Sequence, residues 1–316
     1  MGETTGISYC KATWNPWYGC HPVPGSPACD HCFAHRDMRR WGIDPDIVHR
    51  AKPATFEAPV KWAWKQAARY VDPKRDAPHS RMRVLTCSWS DFFIAEADQP
   101  GWRDEAFSVI RSTPGGLTYL VLTKRDKHMK EVMTAPETAK MFGNDWPPEN
   151  MKLGVTVEDS DHLFRVKSLL ETPASGRWIS VEPLLGPVDL HEYLEDAFTC
   201  PVCGRVPRSE WTSQKSCGRC MERDSGSAAS VPLLERDFLP HIDWIACGGE
   251  SGSGARTMNL EWLRSLLSQC REAGVSAFVK QLGTAWAIEN HAKDRHGADW
   301  DEWPPDLRVR QIPGGW

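Results

Sequence analysis

The chain has 316 residues, of which 41% are hydrophobic and 25% charged, the size and balance of a globular protein with one large domain or two ordinary ones. It holds no apolar run of the roughly 18 residues that a membrane span needs, and residues 1–14 lack the basic stretch and apolar run of a signal peptide, so a cytoplasmic protein is expected. The net charge of −4 hides an asymmetry, because residues 1–130 carry 19 Lys and Arg against 14 Asp and Glu while the remainder carries 19 against 28; the basic part suits either a polyanion or a merely solvated surface.

In chain order, a first strand is expected near Ile7–Ala12. The loop after it carries Cys20, Cys29 and Cys32 as C-x8-C-x2-C, three thiolates within a Gly- and Pro-rich stretch able to wrap one metal centre. A structural zinc site takes four closed ligands, and His21, His31 or His35 would then be the fourth. A 4Fe–4S cluster on three thiolates leaves one iron open. Spacing alone leaves both readings standing. In Lys61–Tyr70 aromatic and basic residues interleave, with Trp62, Lys65 and Arg69 on one helical face, suited to stacking on bases or to packing on the core.

From residue 84 short apolar runs alternate with amphipathic stretches. The runs Val84–Cys87, Leu117–Leu122, Met151–Val157, Trp178–Val181, Ile242–Cys247 and Ser276–Lys280 read as strands buried on both faces. Arg103–Ser112, Asp161–Leu170 and Leu260–Ala273 read as helices, the last capped by Asn259 and ended by Gly274. This alternation predicts a parallel α/β fold, a partial or full (β/α) barrel, with an open doubly wound sheet as the alternative. The barrel is expected over residues 1–198 and 232–290, interrupted by an insertion and linker at 199–231, with an irregular tail at 291–316.

The insertion holds Cys200, Cys203, Cys217 and Cys220, two C-x2-C knuckles with the spacing of a zinc ribbon; rubredoxin-like iron or an auxiliary cluster is the alternative. Cys10, Cys87, Cys247 and Cys270 lie in apolar stretches and read as ordinary buried thiols.

Nearly every strand is followed at once by polar residues: Ser88, Ser90 and Asp91; Lys124 and Arg125; Thr156 and Glu158; Ser180 and Glu182; Gly248, Gly249 and Glu250; Lys280 and Gln281. Barrel enzymes carry their chemistry at the C-terminal ends of their strands, so these groups are expected around one mouth.

The segments TWNPWYGC, SPACDHCFA, SWSDFF, LTKR, GVTVED, SVEPLLG, GGESGSGAR and FVKQLG, from about Thr13 to Gly283, resemble a phage-associated three-Cys-motif family related to radical S-adenosylmethionine enzymes, with spore photoproduct lyase as a distant relative. The resemblance implies a radical-SAM-type barrel with a small zinc-ribbon insertion, a 4Fe–4S cluster on Cys20, Cys29 and Cys32, and S-adenosylmethionine bound at its open iron. Two departures stand out: the superfamily's usual spacing is C-x3-C-x2-C, and its Gly-Gly-Glu segment follows the second strand, where this chain has Ser88–Asp91. By position, Ser88, Ser90, Asp91, Lys124, Arg125, Thr156, Ser180, Gly248, Gly249 and Gln281 are then the cofactor contacts. Ser88, Ser90 and Asp91 would accept from the amino group, Lys124 or Arg125 would pair with the carboxylate, and the glycines would let backbone approach adenine or ribose. Glu158, Glu182, Glu250 and Lys280 remain for catalysis. The implied partners are a flavodoxin- or ferredoxin-type electron donor and a nucleic-acid base or nucleotide, acted on in modification or repair, with no membrane. The alternative from another class is a non-catalytic two-zinc module that binds nucleic acid or protein.

Overall fold

The computed structural model describes residues 2–70, 81–98, 101–194, 199–200, 204–205 and 241–316. Seven strands form one sheet: β1 (Ala12–Trp14), β2 (Met82–Thr86), β3 (Leu117–Thr123), β4 (Met151–Thr156), β5 (Arg177–Val181), β6 (Trp244–Cys247) and β7 (Ser276–Val279). Every neighbouring pair is parallel, and the strands lie side by side in the order in which they occur, curled into a half-barrel. A doubly wound sheet reverses its strand order at a switch point, so this order overturns that alternative. Among the described residues β1 and β7 do not pair, and the barrel is partial.

The strands alternate between two cores, as the two-residue side-chain period requires. Outward residues such as Val84, Tyr119, Val121, Leu153, Ile179 and Ile245 join a large cluster with helix residues Phe107, Leu263 and Leu266. Inward residues Leu85, Leu120, Trp178, Trp244 and Phe278 form a smaller cluster with Tyr9 and Trp316. The Trp178 and Trp244 rings lie 5.5 Å apart, and Tyr9 meets Trp244 edge-on at 5.4 Å. These aromatics plug the bottom of the half-barrel, and the cavity lining nearer the strand ends mixes small and polar residues such as Thr156 and Ser180 with Leu85 and Leu122. Gly154 in β4 is part of this plug, because a Cβ there would sit 2.5 Å from the Trp178 indole. Gly154→Ala is therefore expected to destabilise the fold by about 1–3 kcal/mol through overpacking against a rigid ring, read as a lower urea midpoint at unchanged m-value.

The predicted elements are found within a few residues of their expected bounds, with one displacement. The first strand is Ala12–Trp14, not Ile7–Ala12, because Ile7–Cys10 makes a turn that carries Tyr9 under the barrel. The helix Leu260–Glu272 starts at Asn259, whose side chain accepts from the Glu261 amide at 2.9 Å, and ends before Gly274 at φ 67°. Cys10, Cys87, Cys247 and Cys270 are buried free thiols; burial first of all pushes Cys10 and Cys270 up to about 12.

In the helix Ala58–Tyr70, Trp62 is buried in the core, while Trp64 is exposed and Lys65 pairs with Glu3 at 2.6 Å. Of the two uses the sequence leaves open for Trp62, stacking on bases or packing on the core, it packs on the core.

Residues 291–316 are irregular but not detached. The Val279 amide donates to the Val309 carbonyl and the Gln311 amide to the Ala277 carbonyl, both at 2.8 Å, so the segment lies antiparallel along β7. Gly2 bridges Thr13 in the same sense on β1. The β7 edge is thus covered by residues 309–311, while the β1 edge carries this single bridge. In the insertion, Thr199–Cys200 pairs antiparallel with Gly204–Arg205. The expected zinc site on Cys200, Cys203, Cys217 and Cys220 otherwise lies outside the described residues.

Candidate functional site at the mouth of the half-barrel

A cavity of about 490 Å³ opens above the aromatic plug, at the C-terminal ends of the strands. Its lining brings together Ser88, Ser90 and Asp91 after β2, Lys124 and Arg125 after β3, and Thr156 at the end of β4. Ser180 and Glu182 come from β5, Gly249 and Glu250 follow β6, and Lys280 and Gln281 follow β7. Cys20, Cys29 and Cys32 line the same cavity. Of the predicted site residues that are described, Glu158 and Gly248 are outside the lining, and Cys200 has only its backbone described.

Cys20 follows the short strand Trp17–Tyr18, Cys29 lies in the turn of helix Pro27–Asp30, and Cys32 precedes helix Phe33–Arg40. The Arg125 guanidinium donates to Cys20 Sγ at 3.6 Å. Burial pushes the Cys20 thiol up to about 12, Asp91 adds to this and Arg125 opposes it, so a metal would have to displace a proton there. Among the described residues, no group of three His, Cys, Asp or Glu side chains is gathered as a ready single-ion site. The donor set still fits an iron–sulfur centre: three thiol-bearing residues around one cavity, on a loop pinned from several sides.

Asp91 organises the other wall. Cys87 takes φ 60°, a left-handed conformation rare outside glycine, and turns Ser88–Asp91 back across the mouth. Asp91 Oδ1 accepts from Thr123 Oγ1 at 2.6 Å and from the Phe93 amide at 2.9 Å; Oδ2 accepts from the Lys124 amide at 3.0 Å and pairs with Arg125 at 3.2 Å. Burial pulls the Arg125 guanidinium down, but Asp91 and Cys20 outweigh it and hold it above the ordinary arginine value. Ser90 Oγ donates to the Gly19 carbonyl at 2.6 Å, and Ser88 Oγ accepts from Asn15 at 3.1 Å. These groups, expected to meet a ligand amine, line the cavity and also fasten the β2 loop to the cysteine loop and to β3.

Glu158, expected among the catalytic groups, is also fastened. It is fully buried, accepts from Ser26 Oγ on the cysteine loop, and pairs with Arg165 at 2.7 Å. His162 lies between Asp159, at 2.6 Å, and the Gly25 carbonyl, at 3.0 Å. A second fastener comes from Glu250: Arg256 grips both its oxygens, at 2.6 and 2.9 Å, and donates to the Pro27 carbonyl at 2.9 Å. Burial raises the Glu250 carboxyl, and Arg256 more than reverses this, leaving it below the usual range. Glu158 and Glu250 therefore hold Gly25–Pro27 in place, between Cys20 and Cys29.

The glycines after β6 are also required by the chain's own packing. A Cβ on Gly248 would meet the Gln281 carbonyl at 2.7 Å, and one on Gly249 the Leu282 carbonyl at 2.2 Å. Gly252, at φ 102°, faces the Arg36 guanidinium at 2.4 Å from its would-be Cβ. The close approach is to the chain itself. Residues that the sequence did not single out (Asn15, Ser26, His162, Arg165 and Arg256) do most of the fastening. Asn15, Ser26 and Arg256 lie inside the segments TWNPW, SPACDHCFA and GSGAR; nothing in the pattern of helix Phe164–Leu170 announces that Arg165 is buried.

Fold and site together define a parallel α/β half-barrel protein with a polar, cysteine-bearing mouth. Residues 4–305 match the family described as "Protein of unknown function (DUF5131)", and the chain belongs to that family. No curated protein and no solved structure matches it. Among the described residues no helix is long and apolar enough to cross a membrane.

Proposed function

We propose that this chain is a radical S-adenosylmethionine enzyme whose 4Fe–4S cluster is held by Cys20, Cys29 and Cys32. The observation that carries the reading is that all three cysteines and the strand-end polar groups line one cavity at the C-terminal mouth of a parallel half-barrel. Held there, such a cluster would supply the electron for reductive cleavage of S-adenosylmethionine and thereby radical chemistry on a substrate; this chemistry belongs to the cofactor.

The chain's own residues have separate tasks. Arg125 offsets the charge of the Cys20 thiolate, and Asp91 keeps Arg125 in position. Lys124, in the cavity wall, is the cation available for the methionine carboxylate. The Glu158–Arg165–Ser26 and Glu250–Arg256–Pro27 contacts fix the loop that spaces the three sulfurs. The aromatic plug closes the chamber from below and limits water. A flavodoxin- or ferredoxin-type protein is the proposed reductant, and a nucleic-acid base or nucleotide the proposed substrate. Zinc in the insertion is proposed as structural.

The test is incubation of the anaerobically purified full chain with dithionite and S-adenosylmethionine. 5′-Deoxyadenosine is the expected product, lost on Cys29→Ala; protein carrying its cluster that makes none would count against the reading.

A further inference from the structure

Many polar groups of the cavity are occupied by one another; among the described lining residues, Thr86 Oγ1, Thr156 Oγ1, Glu182 Oε1 and His296 Nδ1 are buried without a hydrogen-bond partner, and of these Glu182 stands beside a cation. Glu182, just past β5, pairs through Oε2 with Lys280 Nζ at 2.9 Å, just past β7. Its other oxygen, Oε1, is buried and has no partner among the described residues. Thr156, fully buried at the end of β4, likewise has an unpartnered Oγ1. All three residues line the cavity, with Leu85 and Leu122 as apolar wall.

An unpartnered buried carboxylate oxygen costs free energy until a donor meets it. The Glu182–Lys280 pair is neutral as a whole, so a charged ligand would stay uncompensated in these surroundings, whereas a neutral one is accepted. What the pair offers is one acceptor, Oε1, beside one cationic donor, Nζ. The complement is a donor beside an acceptor on one edge, and an ammonium takes a carbonyl oxygen better than a ring nitrogen. The leucines favour a flat, weakly polar body.

We infer that the Glu182–Lys280 pair, with Thr156, is a recognition subsite for the lactam edge of a neutral nitrogen heterocycle, the N–H beside C=O borne by hypoxanthine, guanine and uracil. The ring N–H donates to Glu182 Oε1, and the carbonyl accepts from Lys280. The Thr156 hydroxyl, which donates or accepts, meets the next polar atom. Glu182 and Lys280 are thereby specificity-determining groups. The inference rests on the reading of this cavity as the reaction chamber and names the class of substrate it takes.

The test is equilibrium dialysis of inosine, 1-methylinosine and adenosine against the anaerobically purified full chain, with iron and sulfide counted on the same sample. Inosine is expected to bind, with 1-methylinosine, which lacks the donor, and adenosine, which lacks the carbonyl, each at least roughly tenfold weaker. Glu182→Gln, checked for folding by circular dichroism, is expected to lose roughly tenfold for inosine. Equal binding of inosine and 1-methylinosine, equal binding of adenosine, or no inosine binding would each overturn the subsite. The ligand comparison does not depend on a variant folding. Absence of iron with intact discrimination would strike the proposed chemistry and leave the subsite standing; a full cluster without discrimination would do the reverse.

Discussion

Glu158→Ala is expected to lower the unfolding free energy by about 3–5 kcal/mol, the usual cost of removing one partner from a buried ion pair. Arg165 is 1% exposed in its side chain and Glu158 wholly buried, so the guanidinium left behind has neither water nor a second carboxylate at that contact. It would keep its bond to the Thr156 carbonyl at 2.8 Å, which places the effect toward the lower end of that range. Ser26 loses its acceptor at the same time, and the cysteine loop one of its fasteners. Denaturant unfolding of the two proteins checks this, and a loss below about 1 kcal/mol, the scale of an exposed pair, would show that the contact is not the clamp described.

Asp91→Asn is the second substitution with a large expected effect. The carboxylate accepts four hydrogen bonds, and all four partners are donors. An asparagine sets its own NH2 either against the Phe93 amide, where the Thr123 hydroxyl can turn to accept, or against the Lys124 amide and Arg125, and Arg125 loses its counter-charge. A loss of about 2–4 kcal/mol is expected, read from the denaturant midpoint. The substitution also has a local signature. Asp91 holds the Cys20 thiol up and Arg125 opposes it, so removing the charge should lower that thiol's pKa and speed its alkylation by iodoacetamide at mildly alkaline pH, followed at Cys20 by peptide mapping. Unchanged alkylation together with unchanged stability would contradict the role given to Asp91.

The sheet was legible because both of its faces are covered: strands such as Leu117–Thr123 and Met151–Thr156 read as mostly apolar runs without a two-residue alternation. The polar residues following each strand were equally readable as a shared mouth, since parallel strands in one sheet end on one side. Less legible was what each polar group does there. Asp91, Glu158 and Glu250 have the residue types of a binding or proton-handling site, but their partners (Thr123, Ser26 and Arg256) come from distant or unremarkable positions, and no periodicity reports a side-chain hydrogen bond. The packing demand on the glycines after β6 was hidden for a similar reason, because it comes from the backbone of Gln281–Leu282 next to them. Trp62 and Trp64 illustrate the limit of composition: one is core and the other exposed, a difference set by the packing of the helix and not by residue type.

The proposed chemistry depends most directly on what Cys20, Cys29 and Cys32 hold. The decisive measurement is iron, acid-labile sulfide and zinc per chain after anaerobic purification and cluster reconstitution, made alongside Cys20→Ala, Cys29→Ala and Cys32→Ala. About four irons and four sulfides per chain are predicted, as a 4Fe–4S cluster requires, lost in each variant while zinc in the insertion stays at about one. About two zincs with no sulfide would contradict the radical mechanism and leave a protein that recognises its ligand without redox chemistry.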